Sequence, residues 1–215
     1  MENERLKKQL EFLLTLDKLK NVYRQTYILC DDLPHGSADF EENFKERKPL
    51  PRRENDAEHS FSLAIAAAVL AEYSNEPVDI TKVMKMVLVH DAVEIYAGDT
   101  YCYDDEGAKT KEAREKAAAE KVFGTLPEGQ AEEYRALWDE FEANDTAEAK
   151  FSNAMDRIQP LLLNFSREGI SWKEHGVHST QVRKRFDKVK EGSVELGRFV
   201  DELLDRAVEK EFLLP

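Results

Sequence analysis

The sequence predicts an all-α protein, a single-domain helical bundle. Three observations lead there. Glycine (9) and proline (7) are few in 215 residues, and the spans 1–33, 52–76, 78–97, 130–159 and 198–214 contain neither. Apolar residues in these spans recur at helical spacing, and no stretch alternates as a strand would. The hydrophobic fraction, 41%, is enough to fill a core, and no internal repeat or low-complexity linker divides the chain.

Taken in order, residues 3–23 predict the first helix, with Leu6, Leu10, Leu13, Leu16 and Leu19 as its apolar stripe. Arg24 lies near its exit and by itself reads as a solvated arginine. Residues 31–51 predict a long loop, with a charged helical turn within 41–48, and His35 reads as exposed there. In Arg52-Arg-Glu-Asn-Asp-Ala-Glu-His-Ser60, Asn55 or Asp56 is a good N-cap for a helix apolar nearly all round, hence central. Arg52 and Arg53 precede that helix, where backbone N–H groups also favour anions. Asp79 caps the next helix, which runs to Gly98, and Tyr101–Gly107 reads as a loop bordering a pocket. Charged amphipathic helices follow at about 108–123 and through Tyr134, Leu137, Trp138 and Phe141, with solvated faces. Asp145 or Thr146 starts a helix whose buried stripe is Phe151, Ala154, Met155 and Ile158, and Pro160 is placed to kink it. His175 and His178 read as a surface pair, because no acid or Cys completes a zinc pattern. Two further amphipathic helices are expected at about 179–190 and 193–211.

Charge excludes some functions. With 44 acids against 31 bases the formal net charge is −13, which opposes non-specific binding to nucleic acid or an anionic membrane. A single small anionic ligand held by a local arginine stays compatible. No apolar run approaches the roughly 20 residues of a membrane span. The charged start, Met-Glu-Asn-Glu-Arg-Leu-Lys-Lys, is not a signal peptide. Cys30 and Cys102 have no CxxC spacing, so a reducing cytoplasm is the simplest expectation.

The chemistry concentrates where an apolar helix runs into His90-Asp91, with Glu94 one turn later and Asp99 beyond Gly98. Burying such groups is costly unless something compensates them, and a metal ion is the simplest compensation. His59 in the central helix and Asp156 beside the later buried stripe supply further donors. Each has an ordinary reading alone: His59 as a hydrogen-bonded core histidine, Asp156 as the partner of a Lys or Arg. Together, His59, His90, Asp91 and Asp156 come from three helices, as in bundles that hold an ion between facing helices. Two imidazoles and two carboxylates suit a divalent transition metal better than calcium. Four protein ligands on a six-coordinate ion leave two positions, for water and a substrate oxygen.

The order His59, His90-Asp91, Asp156 resembles the signature of the HD-domain metal-dependent phosphohydrolases. The segments 52–60, 90–99 and 147–156 resemble that superfamily's 5′-deoxynucleotidase-like branch. The resemblance covers roughly residues 15–170, which it makes the domain core, with the helices of 179–211 packed on it and 31–51 as an insertion. It implies an all-helical fold, commonly a homodimer, hydrolysing deoxynucleoside 5′-monophosphates to nucleoside and phosphate. It implies one divalent ion (Mn, Co, Fe, Ni, Zn or Mg) on His59, His90, Asp91 and Asp156. Glu94 matches the family's catalytic acid near the attacking water, Asp99 a second pocket acid, and Arg24 the phosphate-binding arginine; Arg52, from its place before the central helix, is a further candidate for neutralising phosphate charge. The aromatic residue that follows that arginine in bacterial members is Gln25 here.

Alternatives stay open at this level. The superfamily also hydrolyses nucleoside triphosphates and phosphodiesters. The dinuclear phosphodiesterases use extra histidines between the HD pair and the last Asp, and none occurs between Asp91 and Asp156. A nucleotide-binding protein with a vestigial site is a second class, against which Glu94 and Asp99 lean. A purely structural helical protein is a third.

Overall fold

A computed structural model describes residues 2–29 and 51–215. The expected loop 31–51, with His35, lies outside these residues except for Pro51. Helix α1 spans Glu2–Leu16 and tightens into a 3₁₀ turn over Asp17–Asn21. The expected first helix, 3–23, therefore stops short. Tyr23–Leu29 (β1) instead pairs antiparallel with Pro51–Asn55 (β2), a two-stranded ribbon that helical spacing did not reveal. Tyr, Thr and Ile in β1 favour such a pleated surface. The register sets Tyr23 opposite Asn55 and Tyr27 opposite Arg53, with an irregularity between them.

The ribbon leads directly into the central helix α2, Asp56–Leu70. Asn55 is its N-cap: its side chain accepts from the Glu58 N–H at 3.0 Å while Glu58 reaches back to the Asn55 N–H. Such a cap satisfies donors that helix geometry leaves orphaned. Helix α3 spans Ile80–Val89 and is capped by Asp79, whose carboxylate accepts from Thr81 and Lys82. The expected continuous helix to Gly98 is broken: His90–Val93 is a 3₁₀ turn, and α4 covers only Glu94–Ala97. The bundle continues with α5 (Asp105–Phe123), α6 (Gln130–Ala143), α7 (Ala147–Ser166), α8 (Ile170–Glu174), α9 (Ser179–Phe186), α10 (Val189–Gly192) and α11 (Val194–Glu209). Thr146 caps α7, which runs through Pro160 to Ser166.

Among the described residues two large apolar cores result, beside a small cluster of Met86, Leu137 and Phe141. One joins Leu63 and Ala67 of α2, Val83 and Val87 of α3 and Phe151, Met155 and Ile158 of α7 to Val182, Phe186 and Leu204 of the last helices. The other joins Phe12 of α1, Val89 and Val93 to Ala119, Val122 and Phe123 of α5 and Trp138 of α6. Complete burial of a Leu or Phe side chain contributes roughly 1.5–3 kcal/mol. The end of α3 touches both cores, Val87 in one and Val89 in the other, so the His90-Asp91 pair sits at their junction.

Candidate metal centre

The four expected ligands come together. His59 arrives from the second turn of α2, His90 and Asp91 from the 3₁₀ turn after α3, and Asp156 from the middle of α7. His59 Nε2 lies 3.1 Å from Asp156 Oδ1 and 3.8 Å from Asp91 Oδ2. His90 Nε2 lies 3.1 Å from Asp91 Oδ1 and 3.7 Å from Asp156 Oδ1. The donor atoms of His59, His90 and Asp91 all fall within 4.8 Å of one another.

Both rings are aimed by their far nitrogen. His90 Nδ1 donates to the Val87 carbonyl at 2.9 Å, and His59 Nδ1 donates to Gln159 Oε1 at 3.0 Å. The Gln159 amide is fixed in turn, donating Nε2 to Glu54 Oε1 at 2.6 Å, while Thr26 donates to Glu54 Oε2 at 3.0 Å. These bonds assign the tautomers and turn both Nε2 lone pairs toward the carboxylates, as second-shell partners of metal-binding histidines do. His90 Nε2 is buried without a hydrogen-bond partner. A buried, aimed, unpartnered imidazole nitrogen among carboxylates fits one divalent metal ion.

Arg24 stands against this cluster from β1, not from a helix exit. Its Nη1 donates to Asp91 Oδ2 at 2.6 Å and to Asp56 Oδ1 at 3.4 Å, and its Nη2 is 3.8 Å from Asp156 Oδ1. Glu94 is buried one turn beyond His90, with Oε2 lacking a hydrogen-bond partner. Asp99 lines the same cavity just past Gly98, whose φ of 76° ends α4. Arg114 of α5 pins that loop, donating to the Ala97 carbonyl and to Thr100 Oγ1. Arg52 is not among the residues that line the cavity: its fork grips Glu58 at the surface, at 2.6 and 2.8 Å. His175 and His178 also lie apart, His175 stacked on Tyr101 and His178 bonded to the Pro215 carbonyl.

Asp56 escaped the sequence reading, which offered it only as an N-cap. It is fully buried in the first turn of α2, three residues before His59, so both project toward one face. With Asp91 and Glu94 it forms a second group of converging carboxylates. Gln159 and Glu54 were missed as well; the signal for Gln159 was its place three residues after Asp156.

The electrostatics divide the acids. Burial alone would raise Asp91 and Asp156, but His90 and Arg24 overcome it at Asp91, and the adjacent His59 and His90 overcome it at Asp156; both are held below the carboxylate range. Burial would lower His90, yet Asp91 and Asp156 push it up to about 10. Glu94 is driven the other way, well above its ordinary value, by burial and by the charges of Asp91 and Asp56. Asp56 is pushed up to about 8 by burial and Asp91, and Asp99 is raised chiefly by burial. The set thus contains two fixed anions and three acids that hold protons more readily, a separation typical of acid–base sites. Arg24 is raised despite burial because Asp91, Asp156, Glu94 and Asp56 surround it. Arg157 is lowered by burial, which Asp156 only partly offsets.

Arg24, His90, Asp91, Glu94, Asp99 and Asp156 line one cavity of about 340 Å³, whose walls also include Tyr101, Tyr103, Lys111, Arg157, Trp172 and Arg185, while His59 and Asp56 stay buried behind them.

Comparison with known proteins agrees. The family model described as HD domain matches residues 44–196. A crystal structure from Magnetospirillum magnetotacticum MS-1, described as a predicted metal-dependent phosphohydrolase, superposes with a TM-score of 0.86 at 44% identity, covering 100% of this chain and 98% of that one. The 5′-deoxynucleotidase HDDC2 of Homo sapiens is 28% identical over 124 residues, 58% of this chain and 59% of that protein. The 5′-deoxynucleotidase YfbR of Escherichia coli is 30% identical over 102 residues, 44% of this chain and 51% of that protein. The match thus spans little more than half the length of these two nucleotidases. With a family model over most of its length and a relative matched nearly end to end, the chain belongs to the HD-domain family.

Proposed function

We propose that this chain is a metal-dependent phosphomonoesterase that hydrolyses (deoxy)nucleoside 5′-monophosphates to nucleoside and phosphate. The observation that carries the reading is the convergence of His59, His90, Asp91 and Asp156 beside a cavity that His90, Asp91 and Asp156 line together with Arg24 and Glu94. The names of the related nucleotidases support it.

His59, His90, Asp91 and Asp156 are the residues to hold the ion. Bound there, a divalent ion polarises a phosphoryl oxygen and acidifies a coordinated water. Arg24 places a guanidinium beside the ligand carboxylates, where it binds a substrate phosphate and offsets the charge that builds in the transition state. Glu94 shares the cavity, and its raised proton affinity suits taking a proton from the attacking water. Asp99 stands at the other side of the loop turn, placed to protonate or position the leaving 5′-oxygen. Arg24, Lys111, Arg157 and Arg185 offset part of the charge of the wall's acids, which favours an anionic substrate in an overall acidic protein.

A homodimer is part of the reading. Phe61, Ile65 and Val69, spaced four apart on α2, are 64, 51 and 66% exposed, and Leu6, Leu10 and Leu13 of α1 are exposed too. Patches of this kind mark interaction surfaces. A cytoplasmic location is supported by the free Cys102, and no helix of the described residues is long and apolar enough to cross a membrane.

The test is phosphate release from a panel of ribo- and deoxyribonucleoside 5′-mono- and triphosphates, with Mn²⁺, Co²⁺ and Mg²⁺ in turn and His90→Ala as control. Metal-dependent release from the monophosphates, lost in His90→Ala, is the expected result. Release from triphosphates alone, or none with metal bound, refutes the substrate assignment.

A further inference from the structure

Beyond Arg24, two more arginines face the cavity: Arg157 of α7 and Arg185 of α9. Neither forms an ion pair with a carboxylate of the described residues. Arg157 Nη1 donates to the Asn153 carbonyl and to Asn153 Oδ1, both at 2.8 Å, and its Nε is buried without a partner. Arg157 thus finds acceptors only on Asn153, with Nε unsatisfied, and the nearby charge of Arg185 adds to the cost of burying it. Arg24 has four carboxylates around it; this pair has none in contact. The pair therefore presents donors to something that the cavity takes in.

The direction of the cavity narrows what that is. Asn153, Asp156, Arg157, Pro160, Leu161 and Asn164 all line it, at the i, i+3, i+4, i+7, i+8, i+11 spacing of one helix face. At 1.5 Å per residue, the wall from Asp156 to Asn164 runs roughly 12 Å beyond the metal ligand, about the length of a nucleoside. Tyr101, Tyr103 and Trp172 line the cavity as well, Tyr101 and Tyr103 edge to face at 5.3 Å. Flat rings beside forked donors suit a flat heterocycle with acceptors on its edge.

We propose that this part of the cavity is a nucleobase subsite in which Arg157 and Arg185 donate to an edge bearing acceptors alone. The substrates favoured are then the 5′-monophosphates of keto bases, guanine and thymine or uracil. Guanine offers O6 and N7, and thymine offers O4. Adenine and cytosine place an amino group at the equivalent position, where it would meet donor against donor. This inference rests on the phosphomonoesterase reading and adds the base to it. Arginine forks also match phosphate, and the test separates the two.

The measurement is kcat/KM for dGMP, dTMP, dAMP and dCMP with the Mn²⁺-loaded 215-residue chain, in wild type, Arg157→Gln and Arg185→Gln. Arg185 is half-exposed, so its variant covers the case in which Arg157→Gln fails to fold. The expected result is a keto preference on the order of tenfold, falling toward one in Arg185→Gln. Arg24→Gln should depress all four substrates together. Equal rates for the four bases, or a preference that survives both substitutions, overturns the proposal. A preference for deoxyguanosine 3′,5′-bisphosphate over dGMP, abolished in Arg185→Gln and without base preference, overturns it in favour of a second phosphoryl group. If no monophosphate is hydrolysed, the phosphomonoesterase reading falls, and equilibrium binding of dGMP against dAMP decides the subsite alone. A tenfold gap lost in Arg185→Gln supports it there, and equal affinity overturns it.

Discussion

Gln159 touches no substrate, yet it fixes which nitrogen of His59 carries the proton. Gln159→Leu removes the acceptor and leaves the ring free to turn or to change tautomer. Loss of such a partner typically weakens metal binding 10–100-fold. Calorimetric titration with Mn²⁺ should show this, together with a lower melting temperature, because Glu54 Oε1 loses its donor as well. Glu94→Gln should do the opposite, keeping metal affinity while lowering turnover roughly 10²–10⁴-fold. Unchanged turnover would remove Glu94 from the chemistry. At this scale the sequence was legible wherever one residue type carries the signal. His59, His90, Asp91, Asp156 and Glu94 could be named because such groups are out of place beside apolar stripes. Gln159, Glu54 and Asp56 could not, because a helical amide, an acid before a helix and an acid in its first turn all have many ordinary uses. Only the contact between β2, α2 and α7 gives these three a role.

Among the elements, α2 makes the sharpest demand. Its inner face packs Leu63 and Ala67 into the core, while Phe61, Ile65 and Val69 face out. Phe61→Glu with Ile65→Glu should leave the monomer folded and shift the chain from dimer to monomer in light-scattering chromatography. A wild type that is already monomeric would dismiss the interface. Gly169 between α7 and α8 has φ of 70°, and a Cβ there would sit 1.8 Å from the Phe212 carbonyl oxygen. Gly169→Ala should therefore cost more than the roughly 1–2 kcal/mol of a left-handed alanine alone, read as a lower denaturation midpoint. Helix caps such as Thr146 and Asp79 were legible because capping is local chemistry. The ribbon was not. No glycine or proline separates β1 from α1, and its partner strand lies beyond residues 30–50, so only tertiary pairing selects it. The 3₁₀ turn at His90–Val93 was hidden for a related reason, since its sequence continues a helical stripe.

For the whole molecule, the proposed metal ligands add a link between α2, α7 and the turn after α3, and these three helices already share one core. A ligand of the native state stabilises it by mass action, about 2.7 kcal/mol at one hundred times Kd. Mn²⁺ should thus raise the melting temperature of the wild type, chelator should reverse the shift, and His90→Ala should not respond. A melting temperature indifferent to metal would contradict the assigned centre. The acidic balance of the chain and the all-α class were readable from composition and spacing. The second arginine pair was not, because Arg185 looks like any charge on a solvated helix until α9 is seen against the cavity. One last property follows from the ribbon. Leu29 and Pro51 are ladder partners, so the two ends of the connection between β1 and β2 stand side by side. Closing a connection between such fixed ends costs free energy only logarithmically in its length. The ribbon thus tolerates connections of very different length while Arg24 and Asn55 keep their register.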